Sequence, residues 1–120
     1  MPGKKALWIT IQEVANKARV PQATIRHYTE VGLLTRRQLH PEDKIHHYPP
    51  DTVERVRTIR RLRKNAFTVP EIQIYLTCQD PKEKGQMLET VRRRQMHRLT
   101  LLLGELLGLE IQLEQLKEQE

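Results

Sequence analysis

Residues 10–34 read TIQEVANKARVPQATIRHYTEVGLL. The stretch predicts two short helices joined by a tight turn. Thr10 and Glu13 have the spacing of a capping box, in which side chain and backbone satisfy each other's free N–H groups. Ile11, Val14, Ala15 and Ala18 then recur on one face as small apolar groups. The turn falls at Arg19-Val20-Pro21, and proline suits the opening of the second helix. That second helix carries Gln22, Thr24, Arg26, His27 and Tyr28 around Ala23 and Ile25, which are expected to be buried. Few apolar and many hydrogen-bonding groups on one helix point to a face meant for another molecule. Arginine, glutamine and threonine can reach base edges and phosphates in a major groove, so double-stranded DNA is the leading partner.

Downstream, the pattern changes. Leu33-Leu34-Thr35 is expected to start a strand, with Ile45-His46-His47-Tyr48 as its partner and His40-Pro41-Glu42-Asp43 as the turn. A β-hairpin after a helix-turn-helix is a wing. Pro49-Pro50-Asp51 opens a third helix with an apolar stripe of Val53, Val56, Ile59 and Leu62. Its remaining surface is largely arginine. Thr68 and Glu71 repeat the capping-box spacing and start a fourth helix, with Ile72, Tyr75 and Leu76 inward.

Residues 83–119 read as one long helix. Leu99, Leu102, Leu106, Leu109, Leu113 and Leu116 alternate steps of three and four, the heptad seam of a coiled coil. Leu103, Leu107 and Ile111 form a second apolar row, and Gly104 and Gly108 lie one turn apart. So much leucine on one helix requires cover, and a second copy of the same helix is the simplest cover. The expected division is therefore a DNA-binding domain over residues 1–78 and a dimerisation helix over 79–120. The heptad pattern leaves the helix direction open.

Charge follows the same division. The chain has 120 residues and a net charge of +6. Residues 1–98 carry +10, whereas residues 99–120 carry −4. A basic body with an acidic tail fits a nucleic-acid binder with a separate protein-contact segment. Met1–Thr10 lacks the apolar core of a signal peptide, and no run approaches the roughly 20 apolar residues of a membrane span. One cysteine, Cys78, allows no disulfide within the chain and suits a reducing compartment. A cytoplasmic, nucleoid-associated protein without membrane contact is expected. No Ser-His-Asp set, phosphate-cradling glycine loop or paired carboxylates emerge, so an enzyme is not expected. His40, His46 and His47 lack the ligand spacing of a metal site, and neither a metal nor another cofactor is expected.

The run from Ile9 to Leu76 resembles the DNA-binding domain of the MerR family of bacterial transcription regulators. The resemblance rests on ITIQEVA, ATIRHYTEVGLL, the wing end at Tyr48, and TIRRLRKNAFTVPEIQIYL, in that order and spacing. It implies a mainly α fold: a winged helix-turn-helix of MerR type with a small β-hairpin wing. A long C-terminal helix then forms an antiparallel coiled coil in a homodimer. It also implies that Thr24, Arg26, His27 and Tyr28 lie on the recognition helix, with Gln22 beside them. Arg36 and Arg37 fall at the start of the wing, where relatives touch the phosphate backbone. Tyr48 fits the wing's closing aromatic, and Arg63 and Lys64 approach a second wing between the third and fourth helices.

This chain departs from the family pattern in three places. Arg19 stands where relatives usually carry glycine, and His46 where the wing usually has arginine. The paired cysteines of metal-sensing relatives are absent. The function expected is a sequence-specific transcriptional regulator, repressor-like, acting as a homodimer on an inverted-repeat operator without a small-molecule sensing domain. RNA polymerase is a further candidate partner. The competing expectations are an architectural or accessory DNA binder of a mobile element or phage, and a protein-interaction module with an arginine-rich surface.

Overall fold

In a computed structural model, residues 8–39, 42 and 44–120 are described. The chain falls into two compact units that divide between Thr77 and Cys78.

In the first unit, Thr10 caps helix α1 (Ile11–Ala18) as the spacing predicts. The Glu13 N–H donates to Thr10 Oγ1 at 3.2 Å, and the Thr10 N–H donates to Glu13 Oε1 at 3.2 Å. Two otherwise free donors of the first turn are thereby satisfied. The helix ends at Arg19, whose φ of 57° and ψ of 48° are left-handed. That conformation turns the chain and lets the Val20 N–H reach the Ala15 carbonyl at 3.0 Å. It is strained for a residue with a Cβ. Pro21 flanks helix α2 (Gln22–Glu30), and its carbonyl accepts from the Thr24 N–H at 3.0 Å.

The wing differs from its sequence reading. Leu33 and Leu34 do not begin a strand; both are buried, and their N–H groups bond the Tyr28 carbonyl at the end of α2. Pairing begins at Arg37, which exchanges two backbone hydrogen bonds with His47 at 2.8 and 2.7 Å. The short sheet consists of β1 (Ile9–Thr10) and β2 (His47–Tyr48), antiparallel, with Ile9 opposite Tyr48. The entry segment before α1 is thus the second partner of the wing. The expected turn at His40, Pro41 and Asp43 lies outside the described residues, and Glu42 is exposed.

Helix α3 (Thr52–Lys64) buries Val53, Val56, Ile59 and Leu62, the stripe read from the sequence. It packs against α1, which also packs against α2. Helix α4 (Val69–Thr77) starts at a second capping box, with the Thr68 N–H donating to Glu71 Oε1 at 2.8 Å and the Glu71 N–H to Thr68 Oγ1 at 3.3 Å. Ile72 is buried, while Tyr75 and Leu76 are half-buried. Phe67, also buried, meets Tyr75 edge-on at 5.9 Å between ring centres.

The second unit contains α5 (Pro81–Glu118), 38 residues long. At 1.5 Å per residue it spans about 57 Å. Asp80 caps it by accepting from the Lys82 N–H at 3.0 Å. The six seam leucines from Leu99 to Leu116 are 52–60% exposed. No helix among the described residues is long and apolar enough to cross a membrane.

The left-handed turn generates a test. Arg19→Gly removes the Cβ strain but loosens the unfolded chain, for a net gain of about 0.5–1 kcal/mol. Urea denaturation should show a higher midpoint at unchanged slope, and a lower midpoint would contradict the strain at Arg19.

Candidate nucleic-acid interface

Helix α2 buries one side chain, Ile25. Ala23, expected inside, is exposed instead, because it lies on the outer side of this short helix. With so little apolar anchorage, the helix is held by hydrogen bonds. Thr29 Oγ1 lies 2.7 Å from the Ile25 carbonyl and 2.8 Å from Tyr48 Oη. Gln73 Nε2 donates to the Val31 carbonyl at 2.9 Å, and Arg55 Nε donates to the Leu33 carbonyl at 3.0 Å. Gly32, at φ +83°, makes the intervening turn that L side chains rarely adopt.

The outer face of α2 presents Arg26 and His27 fully, with Gln22, Thr24 and Tyr28 half-buried. Arg26 Nη2 donates to Gln22 Oε1 at 3.2 Å, one turn apart. That bond orders a guanidinium that still has free N–H groups for a second acceptor.

Two hollows flank this helix. One, of about 230 Å³, is lined by Arg26 from α2, Arg36 at the wing's start, and Lys44, Ile45 and His46 at its return. Four basic side chains from two elements thereby face one space. The other, of about 370 Å³, is lined by Thr24, His27 and Tyr28 together with Arg63 and Val69. Arg63 is fixed there by donating from Nη1 to the Phe67 carbonyl at 3.0 Å. The structure thus gathers Gln22, Thr24, Arg26, His27, Tyr28, Arg36, His46 and Arg63 around α2.

Three further sequence-predicted residues are placed differently from one another. Tyr48 lines the first hollow beside Arg26 and Arg36, yet is 1% exposed, so most of its ring lies in the core. Arg37 is exposed and sits at the base of the wing, its guanidinium 5.8 Å from the centre of the Trp8 ring. Lys64 is exposed at the end of α3 and lines neither hollow.

Sequence reasoning missed Lys44 and Ile45, whose placement depends on the wing's return. It also treated the arginines of α3 as one surface. Arg55 instead holds the end of α2, and Arg57 pairs with Glu54 and donates to the Lys17 carbonyl at 3.1 Å. Arg60 and Arg61 remain exposed.

Residues 9–78 match the family described as "MerR HTH family regulatory protein". The chain belongs to the MerR family. It is similar to the HTH-type transcriptional regulator YfmP of Bacillus subtilis (strain 168), 26% identical over 110 residues, covering 79% of this chain and 78% of that protein. Its fold is similar to that in the crystal structure of HiNmlR, a MerR family regulator lacking the sensor domain, bound to promoter DNA. That likeness has a TM-score of 0.52 at 18% identity and covers 88% of this chain and 87% of the other. This MerR-family chain is accordingly a DNA-binding transcription regulator, and the family is a non-catalytic class.

Among the described residues, no group of three His, Cys, Asp or Glu is placed to hold a metal ion. His40 lies outside them. Cys78, half-buried, donates from Sγ to Glu83 Oε2 at 3.2 Å. Desolvation and that acidic partner raise the thiol above its ordinary range, so it stays protonated at neutral pH.

Two predictions follow from these contacts. Tyr48→Phe removes the Thr29 partner and should lower stability by about 1 kcal/mol with little change in DNA affinity at saturating fold. Thermal unfolding and fluorescence anisotropy separate the two effects. For Cys78, alkylation by iodoacetamide should be slow near neutral pH and accelerate only at alkaline pH, and Glu83→Gln should move that acceleration to lower pH. Fast alkylation of the unaltered protein at neutral pH would contradict the raised thiol.

Proposed function

We propose that this regulator acts as a homodimer on an inverted-repeat operator, with one α2 entering the major groove of each half-site. The observation that carries the reading is the convergence of Arg26 with Arg36, Lys44 and His46 on one hollow. A recognition helix in the groove needs the neighbouring phosphates held at the same time, and cations on a wing beside it can do that. Arg26 and Gln22 supply base-edge donors and acceptors, and Thr24, His27 and Tyr28 with Arg63 form the second flank. The DNA-bound state of the structurally similar HiNmlR supports the same use of this fold.

Dimerisation follows from α5. Leu99, Leu102, Leu106, Leu109, Leu113 and Leu116 are uncovered in one chain, and a second α5 covers them as a coiled coil. Charge favours an antiparallel pair. Residues 81–98 of the helix hold six Lys and Arg against two Glu, whereas residues 99–118 hold one Lys against four Glu. Full antiparallel overlap sets the basic half against the acidic half, with the seam leucines of each helix lying on residues 83–100 of the other, and parallel overlap sets like against like. Residues 1–78 serve as the DNA-binding domain and 79–120 as the dimerisation helix. Occupying a promoter and excluding RNA polymerase makes the protein repressor-like, acting on the nucleoid in the cytoplasm.

Selection of genomic fragments by the purified protein, read by sequencing, should return a single inverted-repeat motif near a promoter. Retention of DNA with no enriched motif, fading as salt rises, would support the architectural reading instead. Arg26→Ala should weaken operator binding at least ten-fold, about 1.4 kcal/mol or more, while non-operator DNA loses much less. Leu106→Asp should yield a monomer by light scattering and weaken operator binding in consequence. A Leu106→Asp protein that stays dimeric would refute the leucine seam.

A further inference from the structure

Leu101 and Ile111 are 54% and 59% exposed and lie outside the leucine seam. With Gly104 and Gly108 between them they repeat the same three-four-three spacing. At 3.6 residues per turn this row is centred roughly 150° around α5 from the seam. A two-stranded coiled coil covers its a and d positions and leaves this opposite side in water. Leu103 and Leu107 lie between the two, so apolar surface runs most of the way round the helix, more than one partner helix can cover. The helix also places two glycines mid-helix, where they oppose helix formation. A Cβ at either glycine would meet nothing within 4 Å, so nothing among the described residues accounts for them.

The row continues in the same spacing through His97 to Arg94 at its N-terminal end and through Gln115 to Glu118 at its C-terminal end. Its chemistry reads nearly the same in both directions, with the charge reversed. If two copies of the row meet antiparallel about a two-fold between Leu101 and Ile111, Leu101 faces Ile111, Gly104 faces Gly108, and Arg94 faces Glu118. Each apolar side chain then meets an apolar one, the glycines let the two backbones approach, and the charges at the ends are opposite. A parallel arrangement would put Arg94 against Arg94 and Glu118 against Glu118.

We infer that this second face of α5 binds the same face of another copy of the chain, so that dimers associate with dimers. The inference rests on the seam dimer proposed above. A two-fold dimer carries two copies of the face, one on each helix. Each contact is isologous, but the pair of faces points in opposite directions, so association does not close at four chains. Dimers then form rows, and on DNA carrying several operators they bind cooperatively.

Mass photometry and sedimentation velocity of the full chain test this directly. The expected result is a series of species of two, four and six chain masses whose larger members grow with concentration. Leu101→Glu, at an exposed position, and Gly108→Glu, where an added Cβ meets nothing within 4 Å, should leave dimers alone with operator affinity on a single-site DNA within two-fold of the unaltered protein. Circular dichroism confirms that the helix is retained. Arg94→Glu should weaken dimer–dimer association about ten-fold, and adding Glu118→Arg should restore it, a rescue that only the antiparallel register yields. Dimers alone up to the highest soluble concentration would overturn the second face while sparing the seam. A monomer throughout would overturn the seam itself. Higher species that persist unchanged in Leu101→Glu and Gly108→Glu would also overturn the inference.

Discussion

Helix α2, the proposed recognition helix, keeps its polar side outward while burying a single side chain, Ile25. Burial of one isoleucine contributes on the order of 2–3 kcal/mol, less than the entropy of ordering nine residues. The remaining anchorage comes from polar contacts at its C-terminal end. Thr29 meets Tyr48 from β2, the Val31 carbonyl accepts from Gln73 of α4, and the Leu33 carbonyl accepts from Arg55 of α3. Three elements thus converge on the end of one helix, and the short sheet, α3 and α4 are placed where those bonds need them. Buried Tyr48 is the clearest case. An aromatic ring at the wing's end fills the core, and its hydroxyl reaches a helix that has little core of its own.

Elements with a local cause were legible in the sequence. Both capping boxes form, because a threonine and a glutamate three residues apart need only their own turn of backbone. The α3 stripe is buried for the same reason: its period belongs to the helix itself. What failed depends on contacts distant in sequence. Leu33 and Leu34 look like a strand, yet they pack inward because the Tyr28 carbonyl captures both their N–H groups. Ala23 looks like core and is exposed, since two residues of helix set it about 200° around from the buried Ile25. Arg55 and Arg57 look like surface charge, but each bonds a carbonyl more than twenty residues away. The β1 segment carried no strand pattern at all; its two residues pair only because His47 and Tyr48 arrive beside them.

The candidate interface divides in the same manner. Residues on α2 were legible because one helix sets their spacing. Lys44 and Ile45 were not, because their place in the hollow depends on how the wing returns. The basic composition of the first unit also overstates its free charge. Arg55, Arg57 and Arg63 all donate to backbone carbonyls, so part of the positive charge read from composition holds the fold. These bonds leave the guanidinium charge in place, however. An arginine that fixes a carbonyl with one nitrogen still contributes its field to an approaching polyanion, so structural and electrostatic roles coexist at one side chain.

Helix α5 poses the opposite problem. Its local signals are strong, with an aspartate cap, proline at the first position and a 38-residue helix. Yet its leucines have nothing to pack against within the unit. Pairs such as Glu89 with Arg92, whose guanidinium donates to both carboxylate oxygens and holds that carboxyl below its ordinary range, support the helix locally. Exposed pairs of this kind contribute only tenths of a kcal/mol each. They cannot offset a row of exposed leucines running from Leu99 to Leu116. The energetic case for α5 therefore favours the proposed association, which would cover leucines that one chain leaves exposed.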